Sequence, residues 1–262
     1  MARVIIDWPI SLCGAAVGVL VGITGMGGGS VTTALLILVF GVHPVAAVGT
    51  DLLFAAVTKT TGTAVHARNS NVDWAIVRRL ASGSVPATLL TLAVLSQASI
   101  RDAAFERKLS LAIGLALVFA AVGLLLRRGL HDFARRHSAP TGTSTATLST
   151  IVLGAALGCL VTLTSVGAGA FGLAVLCFLY PTIQPVRLVG TDIAHAVPLT
   201  LIAGCGHWLI GSIDWSLLAS LLVGSMPGIV VGSQLAHRVP ERVLLPVLAV
   251  VLLFIGGSLV VK

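Results

Sequence analysis

The motif Val-Gly-Thr-Asp occurs twice in this chain, at Val48-Gly49-Thr50-Asp51 and at Val189-Gly190-Thr191-Asp192, 141 residues apart and each time inside a long apolar stretch. The two copies belong to a larger repeat. Upstream, Thr24-Gly25-Met26-Gly27-Gly28-Gly29 aligns with Thr164-Ser165-Val166-Gly167-Ala168-Gly169. Downstream, His66 aligns with His207, Asp73-Trp74 with Asp214-Trp215, and Gly83-Ser84-Val85-Pro86 with Gly224-Ser225-Met226-Pro227. A duplicated hydrophobic chain whose Gly- and Pro-interrupted segments fall at matching positions has the sequence pattern of a secondary transporter.

Composition narrows the class further. The chain is 56% hydrophobic and only 10% charged, with a mean hydropathy of +1.06, whereas a soluble domain carries about 25% charged residues. It cannot cover a water-facing surface, so an integral membrane protein is expected. Several apolar segments run past the roughly 20 residues a bilayer crossing needs. The start of the chain, Met1 to Asp7, lacks a small-residue cleavage site after a short apolar core, so no removable signal peptide is expected. The net charge of +7 would suggest nucleic acid in a soluble protein. Here the basic residues cluster in loops, where they set membrane orientation and help to attract anions, and no nucleic-acid partner is expected. Cys13, Cys159, Cys177 and Cys205 all sit in apolar segments without CxxC spacing. They read as small buried hydrophobes, and no disulfide framework, metal centre or cofactor is expected.

The expected fold is an all-α polytopic membrane protein of two repeats, each of about four segments. The N-terminal repeat, 1–126, comprises segment A (9–40, interrupted at Gly25 to Ser30), B (44–67), C (72–97, interrupted at Gly83 to Pro86) and D (105–126). A polar basic connector, 127–147, carries Arg127, Arg128, Arg135 and Arg136. The C-terminal repeat, 148–262, follows with A′ (148–180), B′ (185–210), C′ (214–237) and D′ (241–261). If A and A′ fold back as re-entrant pairs of short helices, ten Lys and Arg fall on one side of the membrane and five on the other, with Lys59 inside it; if they cross fully, the split is nine to six. The positive-inside rule therefore favours re-entrant segments. Each half then crosses three times, so the halves are inverted, the connector is cytoplasmic and both termini lie outside.

Four sets of residues could carry chemistry. In the glycine-rich interruptions, Gly27, Gly28 and Gly29, and their partners Gly167 and Gly169, permit backbone whose N–H groups no helix uses. At a half-helix N-terminus such groups suit an anion, and Thr24, Ser30, Thr164 and Ser165 would add hydroxyl donors. Tight packing of small residues is the alternative. Gly83, Pro86, Gly224 and Pro227 are expected to break segments C and C′, as site walls or as simple kinks.

The polar stripe of segment B places Asp51, Thr58, Lys59, Gly62 and His66 on one helical face, and B′ presents Asp192, His195, Thr200, Ala203 and His207 in comparable register. Ionisable groups inside a bilayer usually mark an ion or proton path. Asp51, Asp192, His66, His195 and His207 are therefore candidates for proton coupling, with Thr50 and Thr191 beside them as candidate substrate ligands. A carboxylate satisfied at a helix end, and histidines at the membrane interface, are the structural readings. Lys59 either pairs with Asp51 or attracts an anion; Thr200 stands at its position in B′. Asp73-Trp74 and Asp214-Trp215 read as helix N-caps followed by interfacial tryptophans.

Gly22-Ile23-Thr24-Gly25-Met26-Gly27-Gly28-Gly29-Ser30, then Ala47-Val48-Gly49-Thr50-Asp51, and the return of both after a polar connector resemble the sulfite exporter TauE/SafE family over residues 10–260. The resemblance implies a multi-pass transporter of the bacterial inner membrane. Its substrate would be a small sulfur-containing anion such as sulfite, thiosulfate or a sulfonate, and its two inverted halves would face a central site. Where the family often has Thr-Ser, this chain has Thr50-Asp51 and Thr191-Asp192. An ionised Asp would repel an anion and a protonated one would not, which fits proton coupling. A cation or metal-ion transporter using the intramembrane Asp and His residues is the alternative. A membrane-embedded enzyme using the two Asp residues would lack a nucleophile motif and a soluble catalytic domain, and glycine loops tolerant of substitution would support a noncatalytic membrane partner for another protein.

Overall fold

A computed structural model describes residues 6–24, 29–97, 102–137, 143–169, 171–211, 213–235 and 241–261, and these residues form helices and short connections with no strand among them. The helices are α1 (Trp8–Thr24), α2 (Gly29–Leu38), α3 (Pro44–Arg68), α4 (Trp74–Gln97) and α5 (Ala103–His137), then α6 (Thr143–Thr164), α7 (Phe171–Leu179), α8 (Pro185–Leu209), α9 (Trp215–Leu235) and α10 (Glu241–Val261). Segments A and A′ each divide into a long and a short helix, as the glycine interruptions required.

Among the described residues, five helices are long and apolar enough to cross a membrane: α4, the Ala103–Leu126 part of α5, Thr145–Thr164 of α6, α8, and Trp215–Gly232 of α9. Large apolar side chains such as Leu12, Leu90, Val94, Phe119, Leu209 and Phe254 are exposed around the outside. That outward display suits lipid, since a soluble monomer rarely shows a contiguous apolar belt. The protein is a multi-pass membrane protein.

Close backbone contacts fix the helix directions. A Cβ on Gly14 or Gly18 of α1 would meet Leu221 or Ser225 of α9, and one on Gly228 or Gly232 of α9 would meet Ala15 or Val19 of α1. Residue numbers rise together, so α1 and α9 run parallel. Likewise Gly154 and Gly158 of α6 lie on Leu80 and Ser84 of α4, so α4 and α6 run parallel. In the central pair, Leu53 faces Gly204 and Gly62 faces Ile193, so α3 and α8 are antiparallel. α4 and α8 share a direction, because Ser84 meets His195 and Leu92 meets Gly206. Since α6 and α8 both run with α4, the chain between them, which contains α7, has to turn back. A broken helix crossing once would have reversed α8.

Two expectations are corrected. The helices α4 and α9 are not broken at Gly83 to Pro86 or Gly224 to Pro227, because both run on with Pro86 and Pro227 inside them. Gly83 instead lets the backbone of Ile151 and Ala155 approach, and Gly224 does the same for Ser11 and Ala15. Small residues here serve helix–helix contact, while membrane helices tolerate an interior proline where neighbours satisfy the freed backbone groups. Segment D does not stop at Leu126. α5 continues to His137 through most of the expected connector, 35 residues in all, or about 52 Å at the α-helical rise. Arginine favours helix well enough to carry it beyond the apolar core.

Candidate functional site

The site follows from where α3 and α8 place their two carboxyl groups. Each helix opens on a proline, Pro44 or Pro185, and carries its Asp two turns later. Proline is well placed there, since its fixed φ suits the first helical turn. Asp51 and Asp192 are fully enclosed, at 0% and 2% exposure. The antiparallel crossing sets them toward opposite ends of the pair.

Asp51 meets both repeats. Its Oδ2 accepts hydrogen bonds from Thr33 Oγ1 of α2 at 2.6 Å and from Ser165 Oγ of the α6–α7 connection at 2.7 Å. The Thr32 hydroxyl lies close enough to act on this carboxyl as well. The backbone N–H of Gly169 lies close enough to act on the Asp192 carboxyl group, whose Oδ1 lies against Gly172 in the first turn of α7. The connection reaches both groups because its backbone is unusual: Ser165, Gly167 and Gly169 have φ of 56°, 120° and 110°. Glycine adopts this region freely, whereas Ser165 is held there at a cost of about 1–3 kcal/mol, a pattern common at functional sites. The start of α7, expected to receive an anion, thus meets a carboxyl group of the protein's own.

Thr164 and Val166 complete this connection. Thr164 Oγ1 donates to Leu160 O at 2.6 Å and accepts Val166 N–H at 3.2 Å. Thr24 closes α1, and Gly29 and Ser30 open α2; Gly27 and Gly28 lie outside the described residues.

The histidines divide. His195 is wholly buried and its Nε2 meets Ser84 Oγ of α4 at 2.9 Å. His207 Nε2 lies 3.0 Å from Thr162 O; a carbonyl only accepts, so that nitrogen carries the proton. His66 is only partly buried, near Gly190 at the α8 start. Lys59 is buried, and both carboxyl groups and His195 lie within its electrostatic reach. Among the described residues, five buried side-chain polar atoms make no hydrogen bond: Asp51 Oδ1, Thr63 Oγ1 and His66 Nδ1 on α3, and Asp192 Oδ1 and His195 Nδ1 on α8. All belong to the α3–α8 pair. Leaving such atoms unpaired is rare and costly in folded proteins.

Thr50 and Thr191, expected as substrate ligands, have other partners. Thr50 Oγ1 accepts Asp214 N–H at 3.2 Å, and Thr191 Oγ1 accepts Asp73 N–H at 2.9 Å. Asp73 Oδ1 accepts N–H groups of Ala75 and Ile76, and Asp214 Oδ1 those of Ser216 and Leu217, so both are N-caps as expected. Thr32, Thr33, Thr88 and Thr162 escaped the sequence reading. They have no matching hydroxyl in the other repeat, and a lone threonine in an apolar segment carries no signal of its own. Among the described residues no three His, Cys, Asp or Glu side chains come together to hold a metal ion. A cleft of about 420 Å³, lined by Gly41, Glu106, Arg107 and Ser110, lies apart from the seam near the start of α5.

Buried carboxyl groups on antiparallel central helices, each held against an interrupted segment, define a membrane-embedded transport protein. The chain belongs to the sulfite exporter TauE/SafE family, whose model matches residues 10–259. It is 36% identical over 256 residues to the probable membrane transporter protein YjnA of Bacillus subtilis strain 168, covering 96% of this chain and 98% of that one. It is 27% identical over 230 residues to YdhB of the same organism, also described as a probable membrane transporter protein, covering 87% and 89%. A probable membrane transporter protein of Xylella fastidiosa strain 9a5c is 27% identical over 232 residues, covering 86% and 83%. No solved structure matches the chain. The protein is a membrane transporter.

Proposed function

We propose that this transporter moves small sulfur-containing anions such as sulfite, thiosulfate or sulfonates across the inner membrane, together with protons and in the export direction. One observation carries the reading. Two enclosed carboxyl groups, Asp51 and Asp192, each keep one oxygen without a partner while hydroxyl or backbone donors act on the group. A buried carboxyl group in that setting exchanges a proton with the least rearrangement, and in its neutral form it does not repel an anion. The same hydroxyl and N–H donors suit an oxyanion, which accepts several short hydrogen bonds. The sulfur-containing class rests on the family.

Two inverted halves would alternate access to this seam. The opposed directions of α3 and α8, and the shared direction of α6 and α8, support that arrangement. Arg68, Arg79 and Arg187 gather at the end of the molecule where α3 finishes and α4 and α8 begin, and the positive-inside rule assigns that end, with the connector, to the cytoplasm.

Reconstituted protein with sulfite, thiosulfate or sulfoacetate on one side, with and without a pH gradient, tests the reading. Flux of at least one of these anions that rises with an imposed proton gradient is expected. Liposomes in which none moves under any gradient would overturn it.

A further inference from the structure

Lys59 breaks the symmetry of the site. Its position in the second repeat is taken by Thr200, whose hydroxyl is already satisfied by Ala196 O at 2.8 Å in its own helix. Lys59 is 6% exposed, on α3, eight residues beyond Asp51. Leu53 faces Gly204 and Gly62 faces Ile193 across the antiparallel pair. That register puts Lys59 between the level of Asp51 and the level of Asp192, and its charge acts on both. Among the described residues neither carboxyl group closes on it as a direct ion pair.

The remaining charges near it are few. His195 on α8 lies within its electrostatic reach. Helices α2, α6 and α9 bring no charged side chain to α3, and the charged residues of α5 lie toward its two ends, before Leu109 and after Leu126. The seam thus holds one lysine amine and two carboxyl groups that compete for it, with His195 beside them.

Resting on the transporter reading above, we propose that Lys59 is the substrate's counter-charge, and that an arriving anion takes it over from Asp51 and Asp192 as they accept protons. Burying uncompensated charge in a low-dielectric seam is expensive, so the net buried charge tends to stay constant. An anion of one negative charge then enters with one proton, bound by one carboxylate; a doubly charged oxyanion enters with two protons, one on each. Each proton leaves hydronium on the side where the anion enters, so one O–H bond breaks there as the carboxyl O–H forms, and it returns to water with the anion on the other side. Transport is electroneutral, and Lys59, standing between the two levels, serves the anion whichever carboxyl group it enters past.

The test uses full-length protein in liposomes, with labelled thiosulfate as the probe, an internal pH dye and potentials imposed by potassium and valinomycin. Wild type is compared with Lys59→Met, Lys59→Arg and Asp51→Asn/Lys59→Met, each first checked by thermal unfolding in detergent. Wild-type flux should not respond to the imposed potential, and two protons should accompany each thiosulfate. Lys59→Arg should keep flux, whereas Lys59→Met should raise KM roughly 10- to 100-fold, the loss of one charge-assisted hydrogen bond. The double variant should fold well but remain as weak a binder as Lys59→Met.

If the double variant regains wild-type KM, Lys59 only neutralises Asp51 and the proposal is wrong. Potential-driven wild-type flux, or Lys59→Met with unchanged KM, also overturns it while leaving anion transport intact. Wild-type liposomes that move no anion overturn the transporter reading itself, and this proposal with it. Should Lys59→Met fail to fold, the stoichiometry and potential measurements on wild type and Lys59→Arg still decide.

Discussion

The hydroxyl of Thr191 on α8 accepts a hydrogen bond from the backbone N–H of Asp73, 118 residues earlier at the start of α4, at 2.9 Å. Thr50 on α3 does the same for Asp214 at the start of α9, at 3.2 Å. Each copy of the repeated motif therefore holds the helix start that follows the other copy. The Thr fixes a neighbouring loop, while the next residue, Asp, points into the seam.

Thr50→Val and Thr191→Val remove these bonds with little change in shape. Each should cost about 1 kcal/mol, as a typical hydrogen bond contributes, and lower Tm by a few degrees in detergent. Thiosulfate KM should stay within about twofold in each variant, since the cost falls on folding. A large rise in KM with Tm unchanged would show that these hydroxyls bind substrate after all.

Asp51→Asn and Asp192→Asn keep the shape and hydrogen-bonding capacity of a protonated carboxyl group and remove its titration. In the wild type, flux from a given side should rise as the pH of that side falls, because the neutral carboxyl group admits the anion. Each Asn variant should show a flatter pH profile, and the double variant no profile at all. Flux measured from pH 5 to 8 checks this. A double variant with the wild-type profile would remove both residues from the proton path.

Gly83→Ala and Gly224→Ala place a Cβ against the backbone of α6 and α1 respectively. Forcing those helices apart should cost about 1–3 kcal/mol or more, seen as lost expression or a lower Tm. Gly257→Ala meets no atom within 4 Å and should behave as wild type. Equal effects at all three positions would show that Gly83 and Gly224 are not packing contacts.

Ser84→Ala leaves His195 Nε2, fully buried, without its partner at 2.9 Å. An orphaned buried polar group costs about 1–3 kcal/mol. If the pair also relays protons, the rate of pH-driven flux should fall while KM holds. Equal rates in the two proteins would leave His195 a structural residue.

Orientation can be read with single cysteines introduced after replacing the native four. Ser70→Cys, in the connection between α3 and α4, should react with a membrane-impermeant maleimide only from the cytoplasmic side, and His43→Cys, before α3, only from outside. The reverse pattern would invert the assignment of the two faces.

Much of this was legible in one dimension because the repeat is its own control. A Gly, Asp or Trp found twice at one spacing stands out from apolar background, and that exposed the glycine interruptions, the paired Asp and the N-caps of α4 and α9. Residues outside the repeat stayed hidden. Thr33, beside Asp51, has Leu173 as its counterpart, and Thr162, beside His207, has Gly22 as its counterpart. Pro86 and Pro227 misled because a proline removes one N–H wherever it stands, while whether the helix breaks depends on what packs around it.

The sequence by itself determined that the chain lives in a membrane, that it is helical, and where most helices begin and end. Those properties follow from local hydropathy, capping residues and glycine, and need no partner across space. Only the tertiary structure decided that α6 and α8 point the same way, that Ser165 reaches Asp51, and that Lys59 stands between two carboxyl groups. Each of these is a relation between separate segments, more than a hundred residues apart for Ser165 with Asp51 and for Lys59 with Asp192. It is set by which small residues let backbones approach and by which buried polar groups must find one another, and that information is spread over two helices at a time.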